Sequence, residues 1–160
     1  MKNNHYERAG TLSIEEVFEE IKNHLKFTGR KRVKIKDFLV NVQSLRLRTF
    51  FHTGTNCPCC ENKASFFAAE RTPGNKHYHL NLYGINKDKE EVIFTHDHTL
   101  ARSLGGSDDL SNTQTMCGPC NWEKGKVENI LRQEQLASIS ILEKVSNPEQ
   151  IIASKLKNNL

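Results

Sequence analysis

Residues 94–126 read FTHDHTLARSLGGSDDLSNTQTMCGPCNWEKGK. The stretch leaves an extended segment over 91–95, crosses a loop over 99–113 centred on Gly105-Gly106-Ser107, and reaches Cys117-Gly118-Pro119-Cys120. From residue 122 to about 145, Val127, Ile130, Leu131, Ile141, Leu142 and Val145 recur at roughly helical spacing. A Cys-x-x-Cys turn aims two thiolates at one point, and a second such turn completes a tetrahedral site. Cys57-Pro58-Cys59-Cys60 supplies it.

Two cysteine pairs point to structural zinc on Cys57, Cys60, Cys117 and Cys120, with Cys59 a bystander. Redox chemistry is the rival reading of a lone pair, but two pairs without a thioredoxin-like βαβ pattern weigh against it. The long interval between Cys60 and Cys117 fits a β-hairpin region inserted between two knuckles. A closed four-thiolate site has no open coordination position, so this zinc holds structure and performs no chemistry. Such an ion contributes on the order of 10 kcal/mol of folding energy. The chain needs it, because only 36% of its 160 residues are apolar.

No run approaches the roughly 20 apolar residues of a membrane span, and the first ten residues hold no signal-like stretch, so an intracellular, reducing setting is expected. Charge is concentrated. Between Lys22 and Arg48 nine basic side chains face Asp37 alone, in a chain whose total is +4, so the remainder is net acidic. A basic stretch of this kind suits a polyanion, most simply nucleic acid.

Upstream, residues 12–27 read as a helix with the capping box Ser13-x-x-Glu16 and an apolar stripe of Ile14, Val17, Phe18, Ile21 and Leu25. Gly29 ends it. Val33 and Ile35 alternate with charge as in a short strand, residues 38–51 fit helix or strand, and 53–56 form a turn into the first cysteine pair. Residues 65–69, 77–83 and 91–95 read as short strands. Asn147-Pro148 is placed to open a final short helix.

The quoted stretch resembles the HNH endonuclease family. That family's pattern is Asp-His, a loop carrying Gly-Gly, an Asn a few residues on, then Cys-x-x-Cys followed directly by His or Asn and by Lys-Gly. Here these are Asp97-His98, Gly105-Gly106, Asn112, Cys117-x-x-Cys120, Asn121 and Lys124-Gly125. The resemblance covers 94–126, or 57–126 with the first knuckle. It implies an α+β fold: a small zinc-stabilised ββα-metal core, of the His-Me finger kind, with a β-hairpin insertion and flanking helices at both termini. Residues 1–54 are then an N-terminal helical and basic extension, 55–130 the nuclease core, and 131–160 a C-terminal helical extension.

The resemblance assigns His98 as general base, Asp97 and Asn121 as ligands of a catalytic Mg²⁺ or Mn²⁺, and Asn112 as the brace of the loop carrying His98. Elementary chemistry agrees. A neutral imidazole accepts a proton near pH 7, and a hard cation takes one carboxylate and one amide oxygen while keeping its waters. An amide oxygen in place of a third imidazole favours Mg²⁺ or Mn²⁺ over softer ions. Strand alternation puts His96 and His98 on one face and Asp97 on the other, so the strand is expected to twist or break near Asp97. His96 is then a flanking or phosphate-contact residue, His77 and His79 are surface or packing residues, and Trp122 packs rather than stacks on a base. Arg30, Lys31, Arg32, Arg102 and Lys124 are the expected nucleic-acid contacts, with Lys126 nearby, and the helix start just past Asn121 favours phosphate.

The function implied is a metal-dependent endonuclease hydrolysing phosphodiester bonds in DNA, duplex or branched. One such site cuts one strand, so double-strand cleavage requires a homodimer. The compact form suits a phage or mobile-element origin. Two rivals stand beside it: a non-catalytic zinc-ribbon module that binds nucleic acid or protein, and an HNH nuclease directed at RNA.

Overall fold

The computed structural model describes residues 6–26, 29, 31–75 and 77–146, with side chains as far as residue 142. The chain divides into two units, 1–122 and 123–160. In the first, β1 (Glu7–Ser13), β4 (Ala64–Arg71), β5 (His79–Ile85), β6 (Glu91–His98) and β7 (Thr113–Cys117) form an antiparallel sheet in the order β1-β4-β5-β6-β7. The hairpin β2 (Arg32–Ile35) and β3 (Phe38–Asn41) makes a second small sheet. Helices α1 (Ile14–Asn23) and α2 (Leu45–Thr53) pack on the large sheet, and α3 runs from Gly118 to Ser146. Its first turn belongs to the first unit and the rest to the second. No helix among the described residues is long and apolar enough to cross a membrane. The architecture is α+β; the expected helix flanking the sheet on its N-terminal side is replaced by strand β1, with α1 and α2 inserted between β1 and β4, and only α3 follows the last strand.

One row of side chains organises the core. Leu12, Phe67, Leu82, Phe94 and Cys117 are successive cross-strand partners from β1 to β7, and all are buried. Val17 and Ile21 from α1 and Phe50 from α2 are fully buried, and Phe18 and Phe50 both contact the Phe67 ring. Each large apolar side chain buried here contributes roughly 1.5–3 kcal/mol. The same row therefore ties the hydrophobic core to a thiolate of the cysteine cluster.

The first helix, Ile14–Asn23, starts later and ends earlier than the range 12–27 expected for it. Residues 7–13 extend as β1 against β4, and Leu12 is drawn into the sheet core instead of a helix face. The capping box forms as expected: Glu16 N–H donates to Ser13 Oγ at 3.1 Å, and Ser13 N–H donates to Glu16 Oε2 at 2.9 Å. Leu25 falls past the helix end and is 38% exposed. The ambiguous segment 38–51 resolves into both alternatives in succession, strand β3 and then α2 capped by Ser44, whose Oγ accepts from Leu47 N–H. Short strands lie where they are expected in β4, β5 and β6. Arg30 and the segment from Asn147 onward, including the helix expected there, lie outside the described residues.

Candidate active site and thiolate centre

Two clusters are built on the β6–β7 hairpin. At its base, Cys57, Cys60, Cys117 and Cys120 place their sulfurs within 4.8 Å of one another. Cys60 Sγ and Cys117 Sγ are 3.6 Å apart. Bonds of about 2.3 Å to a tetrahedral ion set sulfurs about 3.8 Å apart, so the donor set and its spacing fit zinc. Asn62 Nδ2 points at Cys117 Sγ from 3.9 Å, and Cys59 is exposed and outside the cluster. Four thiols this close cannot all ionise without a cation. Burial pushes Cys117 and Cys120 up; at Cys57 burial is again the largest single cause, but backbone N–H groups of Cys117 and Cys59 together with the Cys60 and Cys117 thiols outweigh it and bring Cys57 down to about 7. A bound dication would invert that balance and hold all four as thiolates.

At the other end of the hairpin lies the second cluster. Thr95 and Asp97 share one face of β6 with Ile93, and the first residue of α3, Gly118, approaches Ile93 so closely that a Cβ would sit 3.1 Å from its Cγ2. This brings Asn121 over the strand, where its Nδ2 donates to Thr95 Oγ1 at 2.8 Å. Thr95 Oγ1 donates onward to Met116 O at 3.1 Å. With its nitrogen committed to Thr95, the amide of Asn121 has Oδ1 as its acceptor end. Asp97, buried at 6% exposure, accepts from Gln114 Nε2 at 2.9 Å through Oδ2. A carboxylate and an amide oxygen on one face, two strand positions apart through Thr95, are the donor types a hard cation takes.

The opposite face carries the histidines. The β6–β7 ladder continues without interruption through His96↔Thr115, Asp97↔Gln114 and His98↔Thr113. The twist or break expected near Asp97 is absent, because Thr113 and Thr115 are anchored to α2 by hydroxyl contacts with Thr49 and Thr53, both 2.8 Å, which keep the pairing regular to its last rung. The His96 and His98 rings lie 5.9 Å apart on that face. His98, on the terminal rung, donates Nε2–H to Asp108 Oδ1 at 2.8 Å. The bond lowers the Asp108 carboxyl below its ordinary range. Burial is the first cause holding His96 below the usual imidazole value, with Arg46 and His98 adding to it.

The loop joining the strands is closed by Asn112. Its Oδ1 accepts from Leu100 N–H at 2.9 Å, and its Nδ2 donates to Leu100 O at 3.0 Å and Ser107 O at 2.8 Å. Gly105 adopts φ 94, and a Cβ on Gly106 would lie 1.8 Å from Leu100 O. The Gly-Gly pair is thus a sharp internal fold against Leu100 and the Asn112 amide. It sets the position of Asp108, and so of the carboxylate that meets His98.

The remaining expected contacts are scattered. Lys31 and Arg32 lie at the β2 end of the hairpin. Arg102 is exposed, with Nη1 4.0 Å from Asp108 Oδ2. Within the second unit Lys124 is paired with Glu128 and Lys126 with Glu123. Trp122, expected to pack, is 68% exposed, since it falls on the outer side of the first turn of α3. Sequence reasoning missed Thr95, Gln114 and Asp108. The first two are recoverable from cross-strand register, which no local pattern encodes, and Asp108 had as its signal only an acidic pair after the glycines.

Residues 86–134 match the HNH endonuclease family. That segment, under a third of the chain, is similar to HNH endonuclease domains. The match takes in β6, the Asn112-braced loop, β7, the second cysteine pair and Asn121, and begins downstream of the first pair. No curated protein and no solved structure matches the chain. For the HNH-like segment, nuclease chemistry and a nucleic-acid substrate follow in general terms from the family, and the cysteine cluster is compatible with structural zinc.

Proposed function

We propose that the protein is a metal-dependent endonuclease that hydrolyses phosphodiester bonds in DNA, with His98 as general base and a divalent cation, Mg²⁺ or Mn²⁺, held by Asp97 and Asn121. The observation that carries this reading is the convergence of Asn121 on the Asp97 face of β6, through Thr95, at the end of the strand that terminates in His98. A zinc ribbon that only bound its partner would have no use for a buried carboxylate aligned with an amide and followed in the chain by an imidazole that a second carboxylate orients.

His98, donating through Nε2 to Asp108, carries its basic lone pair on Nδ1 in the neutral ring, the tautomer that takes a proton from attacking water. Asp97 and Asn121 bind the cation, and Gln114 fixes the carboxylate by occupying Oδ2. A cation held there would supply positive charge to the scissile phosphate and the departing 3′-oxygen, and attack by the water that His98 deprotonates would leave 5′-phosphate and 3′-hydroxyl ends. The thiolate centre holds the hairpin that presents both groups and takes no part in the reaction.

The test is plasmid nicking with Mg²⁺, run beside single-stranded DNA and RNA. His98→Ala should slow nicking by roughly 10²–10⁴-fold while retaining zinc and fold. Asp97→Ala should do the same and remove the dependence on Mg²⁺. Nicking by His98→Ala at the native rate would end the proposal. Preferential cleavage of RNA would transfer it to the RNA-directed alternative.

A further inference from the structure

The β5–β6 ladder stops at Leu82↔Phe94, although β6 runs on to His98 and β5 begins at His79. Beside the start of β5, a cavity of about 330 Å³ opens between that strand, the β2–β3 hairpin and the first turn of α2. Its polar lining is Arg32, Asn41, Ser44, Arg46, His77 and His79, with no aspartate or glutamate among the described residues. Leu39, Leu47 and Tyr78 form its apolar walls.

Arg46 is the unusual member. Its guanidinium stands over the Phe50 ring at 5.8 Å, and its Nε is buried and, among the described residues, has no hydrogen-bond partner. Burial draws its pKa down from the ordinary guanidinium value. Glu70 acts on this guanidinium only through space and is outweighed by burial, so a desolvated fork of N–H donors lining a cavity whose described walls carry no acid is matched by the oxygens of a phosphate. Ser44 and the first turn of α2, which holds no acidic residue, add a favourable dipole. No residue of β6 lines the cavity, but Arg46 is within electrostatic reach of that strand, its charge being felt at His96, two residues from His98. The phosphate is therefore expected to belong to a polymer extending along β6.

We propose that this cavity is a subsite for a backbone phosphate of the nucleic-acid strand engaged by the HNH-like segment, with Arg46 as the principal contact and Arg32, His77 and His79 completing a cationic wall. This rests on the nuclease reading for the identity of the polymer.

The experiment uses the full chain in a His98→Ala background, with anisotropy of a fluorescent DNA duplex measured over a salt series. Arg46→Met should lower the slope of log K against log salt by about 0.9, the loss of one phosphate contact, and Arg46→Lys should restore most of it. Unchanged near-ultraviolet circular dichroism and zinc content establish that each variant is folded; should Arg46→Met fail this check, Arg32→Met on the same wall provides a comparison of the same kind. In parallel, inorganic phosphate should shift the His77 and His79 ring resonances in the parent and leave them unmoved in the variant. A folded variant with an unchanged slope overturns the proposal. So does phosphate shifting the rings while the DNA slope stays fixed, which would make the cavity a small-anion site. Nicking by the native chain is scored separately: if it is absent while the slope falls, the nuclease reading fails and the phosphate subsite stands.

Discussion

Nε2 of His98 lies 2.8 Å from Asp108 Oδ1, and that one contact sets which ring nitrogen is basic. Asp108 is a positioning residue: it acts on the reaction only by fixing the tautomer and aim of His98. Asp108→Asn preserves shape and can still hydrogen-bond, but it leaves the tautomer undetermined. The expected loss in nicking is roughly 10- to 100-fold, carried in kcat with little change in KM. The measurement is a steady-state comparison with His98→Ala, including the double variant. Because both residues act as one unit, the double variant should be no slower than His98→Ala alone. Asp97 and His98 were legible in the sequence as chemistry. Alternation also put them on opposite faces, but that the ladder runs unbroken past Asp97 was not legible, because Thr49 and Thr53, distant in the chain, hold the partner strand in register.

Among the elements, the loop over 99–112 is the most constrained. Gly106→Ala would force a methyl to 1.8 Å from Leu100 O and 2.8 Å from Asn112 Nδ2. The loop must open, releasing Asp108 from His98, so the variant should lose most nicking activity while zinc content and far-ultraviolet spectra remain native. In α1 the capping box gives a pH signature. Lys36, and then the Ser13 N–H, hold the Glu16 carboxyl below its ordinary value. A depressed carboxyl contributes stability that is present above its unfolded pKa near 4.3 and is lost as pH falls through its lower folded value. Glu16→Gln should therefore lower Tm at pH 7, and in thermal melts the gap from the native chain should close as pH falls below the unfolded value and through the depressed folded one. The capping box was readable because it spans only three residues. Strand β1 was missed because Glu7–Ser13 has no clean alternation and becomes a strand only through its pairing with β4.

For the whole molecule, Cys117 belongs at once to the thiolate cluster and to the buried row that crosses all five strands. Loss of zinc should propagate into the core. Chelation is expected to unfold the first unit cooperatively, with sheet signal and nicking lost together and regained on adding zinc, whereas Mg²⁺ alone should not restore the fold. Cys60→Ser should reproduce the effect at lower temperature. Parallel loss of circular dichroism and metal, followed with a chromogenic chelator, checks it. A sheet that melted at the same temperature with and without zinc would show that the apolar row suffices by itself.

What the residues alone determined is the chemistry: two thiolate pairs, an imidazole beside a carboxylate, an amide one position past the second knuckle, and the helix cap. These are short-range features, set by residue type and by spacings of a few positions. Only tertiary structure decided which groups meet. Gln114 reaches Asp97, Asn121 settles on Thr95, Asp108 folds back to His98, and Arg46 lines a cavity whose described walls carry no acid. Such meetings depend on which strands pair and which faces are buried, and that is fixed by the free energy of the whole core rather than by any local stretch of chain.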